Sequence, residues 1–392
     1  MANGAFVRIR RVLHPDIRGA RDSLVKFTPV RQTVRGEAMM SDFVPLQPDF
    51  ERLRTVLMLQ GEPDRVPNAE LHVDWQIKQA FLGRPIRNVQ DDVDFWYRAG
   101  YDYIYLRANY EYRMVGDGVT RQERTYAGDM QVTTWAGDET SLIASWQEFE
   151  TYPWPDPATV DYSNLAECAR CLYPGMKIIS GVGGIFTRVW RIMGFETFCF
   201  ALADQPDLVA ALFRRVGETQ LAVFRRIVSM DGIGAMWVGD DLAYITGTML
   251  PPDMLRRYVF PYYKEMGDIC RRKDLPYIIH SDGNLWQVLP DLIACGFNAI
   301  HPVEPKAMDA REVKAAYGRQ LAILGNIEIG ETLTLGTPAN VEAEVRQRIR
   351  TLAPGGGYAV GSSNTVAHYI PLDNFKTMVR ATRTYGRYPI KV

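Results

Sequence analysis

Excess positive charge, long apolar runs and paired cysteines are all missing from this chain of 392 residues. Lysine and arginine total 45 against 46 acidic residues, a net charge of −1. That balance leaves no basic face of the kind a phosphate backbone demands, which excludes nucleic acid as a partner and favours a small molecule or a protein. No apolar stretch approaches the roughly 20 residues that span a bilayer, and no hydrophobic signal core opens the chain, so a soluble, cytoplasmic protein without membrane contact is expected. The five cysteines, Cys168, Cys171, Cys199, Cys270 and Cys295, are odd in number and scattered. They argue against a disulfide framework and fit a reducing compartment. Cys168-x-x-Cys171 has no second pair and falls in a segment, 163–172, that reads helical, so a metal or redox role is not assigned to it. There is no Gly-x-Gly-x-x-Gly turn after the first strand, which removes a usual support for a doubly wound sheet. The turn Gly181-Val-Gly183-Gly184 lacks the Lys-Ser/Thr of a phosphate cradle, and no internal repeat or low-complexity tract stands out.

What is present is alternation. From Lys177 onward, strands at 177–181, 234–239, 276–280, 297–301, 321–325 and 357–361 are separated by helix-length segments, among them 205–228, 252–272 and 285–295. Such spacing implies right-handed parallel crossovers. Two earlier strands are expected, one in Arg65 to His72 and one in Tyr101 to Leu106, which brings the count from Val66 to eight. Thr337-Pro338 supplies a capping hydroxyl followed by proline in the first helical turn. Val119 to Tyr126 and Gln131 to Trp135 alternate around Ala127-Gly128-Asp129 as a β-hairpin does. The expected fold is therefore α/β: a single (β/α)8 TIM barrel over 48–392, with an N-terminal extension over 1–47 and a β-hairpin insertion. The first 39 residues, rich in arginine and without strong periodicity, read as an arm over the barrel or a partner contact, or as sequence upstream of a start at Met39 or Met40.

Candidate chemistry gathers where apolar runs turn polar, because α/β barrels carry their sites at the C-terminal ends of the strands. In Pro276-Tyr-Ile-Ile-His280-Ser-Asp282-Gly283, His280 and Asp282 are period-two neighbours that point to one side. Imidazole plus carboxylate suits a divalent metal or an acid–base pair. The alternative is that His280 merely satisfies a loop carbonyl. Asp240 and Asp241 end the preceding strand, where one should face inward unless it serves as a helix cap. Glu304 and Glu328 hold corresponding positions after later strands and are expected to complete a metal shell or bind substrate. Glu70, His72, Arg107, Asn109, Trp190, Asn326 and Ser363 are the remaining substrate-contact candidates. Arg107 is suited to clamping a carboxylate unless it forms a surface salt bridge. The side on which His301 stands is left open.

The ordered set Asp64-Arg-Val-Pro67, Ala99-Gly-Tyr-Asp102, Tyr152-Pro-Trp-Pro-Asp156, Gly239-Asp-Asp241, His280-Ser-Asp-Gly283, Pro302-Val-Glu-Pro305 and Gly325-Asn326 resembles the uroporphyrinogen decarboxylase superfamily across roughly residues 48–390. The resemblance implies a (β/α)8 barrel and one of two chemistries, cofactor-free decarboxylation or methyl transfer involving corrinoid proteins, usually with zinc. Where decarboxylases carry an aspartate after the second strand this chain has Arg107-Ala108-Asn109. Where they carry Gly-His-Gly after the last strand it has Ser362-Ser363-Asn364. It is thus closer to the methyltransferase branch, with His280-Ser-Asp282-Gly283 in place of His-x-Cys-Gly and Ser363 near a second expected cysteine. An oxygen-rich shell of this kind suits polarising an oxygen leaving group. The expectation is an O-demethylation type of methyltransferase acting on a small methoxylated or methylated compound. Its catalytic residues would be His280, Asp282 and Asp241, and its divalent metal, zinc by resemblance, would be held by His280, Asp282 and Glu304. Cobalamin would arrive on a separate corrinoid protein, since no Asp-x-His-x-x-Gly motif is present, and a homodimer is in keeping with the relatives. The alternatives are a decarboxylase or lyase acting on a small polar acid, and a non-catalytic tetrapyrrole- or corrinoid-binding protein.

Overall fold

Val66-Pro67-Asn68-Ala69-Glu70 begins a ring of parallel staves, most of them apolar and buried along nearly their whole length, as parallel sheets require. A computed structural model describes residues 46–115, 120–124, 130–134 and 141–391. Of the two units into which the chain divides, Met1–Met39 and Met40–Val392, the second contains all of them. The extension expected over 1–47 lies outside the described residues apart from its last two.

Among the described residues eleven strands follow in order: β1 (Tyr103–Tyr105), β2 (Thr120–Arg124), β3 (Met130–Thr134), β4 (Lys177–Ser180), β5 (Ile233–Gly239), β6 (Ala243–Tyr244), β7 (Gly247–Thr248), β8 (Tyr277–His280), β9 (Ala299–His301), β10 (Ala322–Ile327) and β11 (Tyr358–Ser362). Seven form one sheet in the order β1-β4-β5-β8-β9-β10-β11, every neighbouring pair parallel. β2 and β3 form the antiparallel hairpin anticipated between β1 and β4; its turn at 127–129 lies outside the described residues.

The eighth stave differs from expectation. Residues 65–72 do not form a regular ladder; they touch β11 through the parallel bridge Asn68↔Val360, with Ala69 N donating to Val360 O at 2.8 Å and Val360 N to Pro67 O at 3.0 Å. Pro67 has no N–H to offer. On the other side the hydroxyl of Tyr103, rather than the β1 backbone, serves Glu70: it accepts from Glu70 N at 2.6 Å and donates to Glu70 O at 2.7 Å. Close approach on the β11 side is possible because residue 361 is glycine. A Cβ there would stand 1.8 Å from Ala69 O, well inside van der Waals contact.

The barrel interior is packed, as this architecture requires. Tyr105, Trp237, His301 and His280 form a chain of rings with centroid separations of 6.0, 5.2 and 5.1 Å. Outside, the segment expected as one helix over 252–272 is two, Pro252–Tyr258 and Phe260–Arg272. The break at Val259 precedes Pro261, which is disfavoured inside a continuous helix. The helix expected over 285–295 is confined to Leu289–Ala294, with proline in its first turn. Thr337 and Asn340 form a reciprocal capping box on helix Pro338–Leu352, Thr337 Oγ1 accepting from Asn340 N at 3.3 Å and Asn340 Oδ1 from Thr337 N at 2.9 Å. Replacing Thr337 by alanine is expected to lower stability by about 1 kcal/mol in urea unfolding. Among the described residues, no helix is long and apolar enough to cross a membrane.

Candidate active site

Three strands deliver the centre of the site. β5 runs into Asp240-Asp241, β8 ends at His280 two residues before Asp282, and β9 ends at His301, the register partner of His280. The two adjacent aspartates have separate tasks. Asp240 is buried and accepts from Phe186 N at 3.0 Å, Thr187 N at 2.7 Å and Tyr263 Oη at 2.5 Å. It therefore caps the helix Ile185–Met193 that follows β4, rather than the segment after itself. Asp241, its side chain 50% exposed, turns to His280, with Oδ1 3.6 Å from Nε2. It also accepts from Asp282 N at 3.4 Å.

Ligand atoms of Asp241, His280 and Asp282 lie within 4.8 Å of one another. Two ligands bonded at about 2.1 Å to a tetrahedral ion stand roughly 3.4 Å apart, close to the His280–Asp241 separation. Asp282 Oδ2 accepts from Asn364 Nδ2 at 2.6 Å, while its Oδ1 is buried without a hydrogen-bond partner among the described residues. An orphaned carboxylate oxygen beside an imidazole and a second carboxylate is a donor set that fits a divalent cation of moderate hardness. Burial pushes the Asp282 carboxyl up to about 6; His280 and Asn364 oppose this, and the nearby Asp241 and Glu304 add to it.

Glu304 stands aside from this group, its Oε2 accepting from Gly283 N at 2.9 Å. It nevertheless lines the adjoining cavity of about 290 Å³, together with Asp282, Lys306, Glu328, Asn364 and Tyr369. Glu328 carries the turn Ile329–Thr334, accepting from Glu331 N and from Thr332 N, the latter at 3.1 Å, and its Oε1 is 3.4 Å from Lys306 Nζ. Burial acts to raise its carboxyl, but the backbone N–H groups of residues 330–332 and the Lys306 ammonium outweigh that and hold it below the usual range. Ser363 also lines the cavity, and its Oγ accepts from Ile329 N at 3.2 Å.

The other candidates make contacts of their own. Glu70 is fully buried, its carboxylate accepting from Ser362 N at 2.7 Å and Ser362 Oγ at 2.6 Å. His72 is 55% exposed and pairs with Asp74 at 3.3 Å. Arg107 is exposed, and Asn109 is tied to Asp161, its N donating to Asp161 O at 3.0 Å. Trp190 packs edge-on to Phe195 at 5.7 Å. Asn326 is wholly buried, with Nδ2 donating to Val303 O at 2.5 Å.

Two residues gain importance only in three dimensions. Asn364 holds Asp282, and His301 places Nδ1 2.8 Å from His280 Nδ1. Burial pushes His301 well below the usual imidazole range; His280 adds to this and the Ser362 backbone opposes it. The signal for His301 was its place at the end of an apolar run matching that of His280, but the register that pairs the two is set by sheet packing.

The architecture is that of a TIM-barrel protein with its polar group at the C-terminal edge of the strands. Residues 139–385 match the family described as uroporphyrinogen decarboxylase (URO-D), and the chain belongs to that family. Its relatives include the methylcobamide:CoM methyltransferase MtbA of Methanosarcina mazei, 25% identical over 213 residues that make up 54% of this chain and 59% of the relative. The methylated-thiol–coenzyme M methyltransferase of the same organism is 23% identical over 215 residues, 55% of each chain. A uroporphyrinogen decarboxylase of Anaeromyxobacter dehalogenans is 23% identical over 220 residues, 54% of this chain and 59% of the relative. The matches thus span under three fifths of the length of these relatives. Among solved structures, a methyltransferase from Methanosarcina mazei superposes with a TM-score of 0.60 at 18% identity, covering 85% of this chain and 98% of its own, which establishes the likeness of fold.

Proposed function

We propose that this protein is a methyltransferase that takes a methyl group from a small methoxylated or methylated compound and passes it to a corrinoid carried by a separate protein. The observation that carries this reading is the convergence of His280, Asp282 and Asp241 beside a cavity of about 290 Å³. That volume accommodates a compact donor, being at the lower end of small-molecule pockets. Two relatives named as methyltransferases support the class of reaction.

His280 Nε2 and the carboxylates of Asp282 and Asp241 would hold a divalent metal, zinc being the expectation from the family resemblance. Such an ion, when bound, supplies Lewis acidity toward the heteroatom that leaves the methyl group. The protein's own contribution is alignment. Asn364 fixes the Asp282 carboxylate, Gly283 N fixes Glu304 at the cavity wall, and the Lys306–Glu328 pair also lines the cavity. His280 is buried and Asp282 half-buried, which holds both side chains in place beside the cavity. The alternative, a decarboxylase or lyase acting on a small polar acid, would use His280 as proton donor and Arg107 as carboxylate clamp; Arg107 is exposed and does not line the cavity.

The test is to supply the purified full chain with Zn2+, a reduced corrinoid protein or free reduced cobalamin, and a panel of methoxylated and methylated compounds. Methyl–cobalt formation is followed by its absorbance, and metal stoichiometry is measured alongside. Metal-dependent methylation of the corrinoid is the expected result. Release of carbon dioxide from a small acid with no methyl transfer from any donor would overturn the reading.

A further inference from the structure

Arg188, on the helix Ile185–Met193, is a half-buried cation without an anion. Its guanidinium lies over the rings of Tyr110 and Tyr112, 5.9 and 5.1 Å from their centroids. Nη1 donates to Gly184 O at 3.2 Å, Nε is buried without a hydrogen-bond partner, and no carboxylate pairs with the group among the described residues. Gln220 repeats the pattern: it is fully buried, accepts from Tyr110 Oη at 2.5 Å and leaves Nε2 without a partner among the described residues. A buried donor that meets no acceptor is costly, a charged one most of all, and an acceptor arriving from outside the chain removes that cost.

The sheet relates this corner to His280. A Cβ on Gly183 would stand 1.7 Å from Arg188 Nη1, so the guanidinium rests directly on that glycine. Gly183 bridges Gly239 in parallel, and Gly239 is the register partner of His280. Gly239 shares its side of β5 with Trp237, two residues back, whose ring packs on His301 inside the barrel. A Cβ on Gly239 would meet only His280 Cδ2, at 3.8 Å. Arg188 and His280 therefore flank a bare glycine floor two strand spacings wide, about 10 Å.

We propose that Arg188 binds a carboxylate of the methyl donor, which makes the substrates methoxylated or methylated carboxylic acids. The inference rests on the reading of Asp241, His280 and Asp282 as the reacting end of the site, and it deepens that reading. A donor whose heteroatom sits at that group can extend in two directions. Toward β9, β10 and β11 it enters the cavity, where Glu304 and Glu328 outnumber Lys306 and repel an anion. Toward β4 it crosses the glycine floor to a guanidinium with no carboxylate of its own, whose planar fork matches that group. Stacking on Tyr110 and Tyr112 gives Arg188 a second task, holding the segment after β1 against the helix, and a carboxylate on the edge of the fork leaves that stacking in place.

The test measures binding of 3-methoxybenzoate and of its neutral counterpart 3-methoxybenzyl alcohol to the full, metal-free chain by calorimetry, with thermal melts alongside. The wild type is expected to bind the acid about 10–100-fold more tightly than the alcohol, the range of a charge-assisted pair. Arg188→Gln is expected to lose that preference and to keep its affinity for the alcohol, an outcome that loss of stacking alone does not produce. Arg188→Lys keeps a charge over the tyrosine rings without the fork, and is expected to fall between the two. Equal or undetectable binding of acid and alcohol in the wild type overturns the proposal, as does an undiminished preference in Arg188→Gln. If Arg188→Gln does not fold, the wild-type preference and Arg188→Lys decide, an undiminished preference in the latter overturning it. Methyl transfer to reduced cobalamin is followed separately. Transfer from the neutral donor with the same KM in wild type and Arg188→Gln, together with equal binding of acid and alcohol, removes the carboxylate and leaves the methyl-transfer reading standing. Acid binding that depends on Arg188, with no methyl transfer from any donor, removes that reading and leaves the anion site.

Discussion

His280→Ala is expected to leave the barrel folded, to abolish stoichiometric Zn2+ binding and to reduce methyl transfer by about 10³-fold or more. His280 supplies the one nitrogen of the three-residue group. Without it, Asp241 and Asp282 face each other as two carboxylates with no strong bridging donor, and the buried Asp282 carboxyl, already raised to about 6, loses the neighbour that most lowers it. Lewis-acid assistance of several kcal/mol, at 1.36 kcal/mol per decade, corresponds to about three decades in rate. The measurement combines metal analysis, the corrinoid methylation rate and a thermal melt on one preparation. Asp240→Asn provides the contrast. That residue accepts from two backbone N–H groups and Tyr263 at the start of helix Ile185–Met193, so its replacement should lower the melting temperature with bound metal retained. If His280→Ala retains stoichiometric metal, the ion is held elsewhere and the proposed chemistry does not operate at this strand edge.

The strand ends were legible because each carries its information locally. Pro276 to Asp282 is an apolar run followed by alternating polar residues, and the alternation alone puts His280 and Asp282 on one side. The cap at Thr337 and the hairpin of β2 and β3 were legible for the same reason, since their partners lie within a few residues. Longer-range partnerships were not. Nothing local tells Asp240 that helix Ile185–Met193 needs a cap, or Asn109 that Asp161 is opposite. The first stave kept its place but not its ladder, because the hydroxyl of Tyr103, 33 residues away, takes both backbone groups of Glu70. The register of β8 against β9 sets His301 against His280, and the shift between Ile178 and Ile179 shows how one irregularity changes such pairings. Glu304 and Glu328 follow their strands at corresponding positions and are expected from sequence to complete a metal shell or bind substrate. Glu304 in fact accepts from one backbone N–H and Glu328 from two, and both line the cavity. Carboxylates near a barrel mouth are easy to find from sequence, but whether the surrounding backbone already satisfies them depends on loop paths.

Glu70→Gln is expected to stabilise the protein at neutral pH, by on the order of 3 kcal/mol at pH 7, and to flatten its dependence on pH. Glu70 is fully buried, with no cationic partner among the described residues, and burial raises its carboxyl from 4.5 to about 8, against the opposing hydrogen bonds from the Ser362 side chain and backbone. Between those two values the folded chain holds a proton that the unfolded chain has released. The folded state therefore binds more protons, and unfolding free energy falls as pH rises through this window, levelling off above about 8. At pH 7 the gap of 2.5 units from the unfolded value, at 1.36 kcal/mol per unit, gives the stated magnitude. Glutamine is neutral in both states. Its amide oxygen can accept from Ser362 N and its amide N–H can donate to Ser362 Oγ, so the local geometry is kept while the cost of protonating the carboxylate disappears. Urea unfolding of both proteins at pH 5, 7 and 8.5 tests this, with the difference growing as pH rises. Equal slopes against pH would mean that Glu70 is ionised in the folded barrel and that a cation or polar ligand offsets its burial. A change in KM for the methyl donor without a change in stability would instead place Glu70 in contact with substrate.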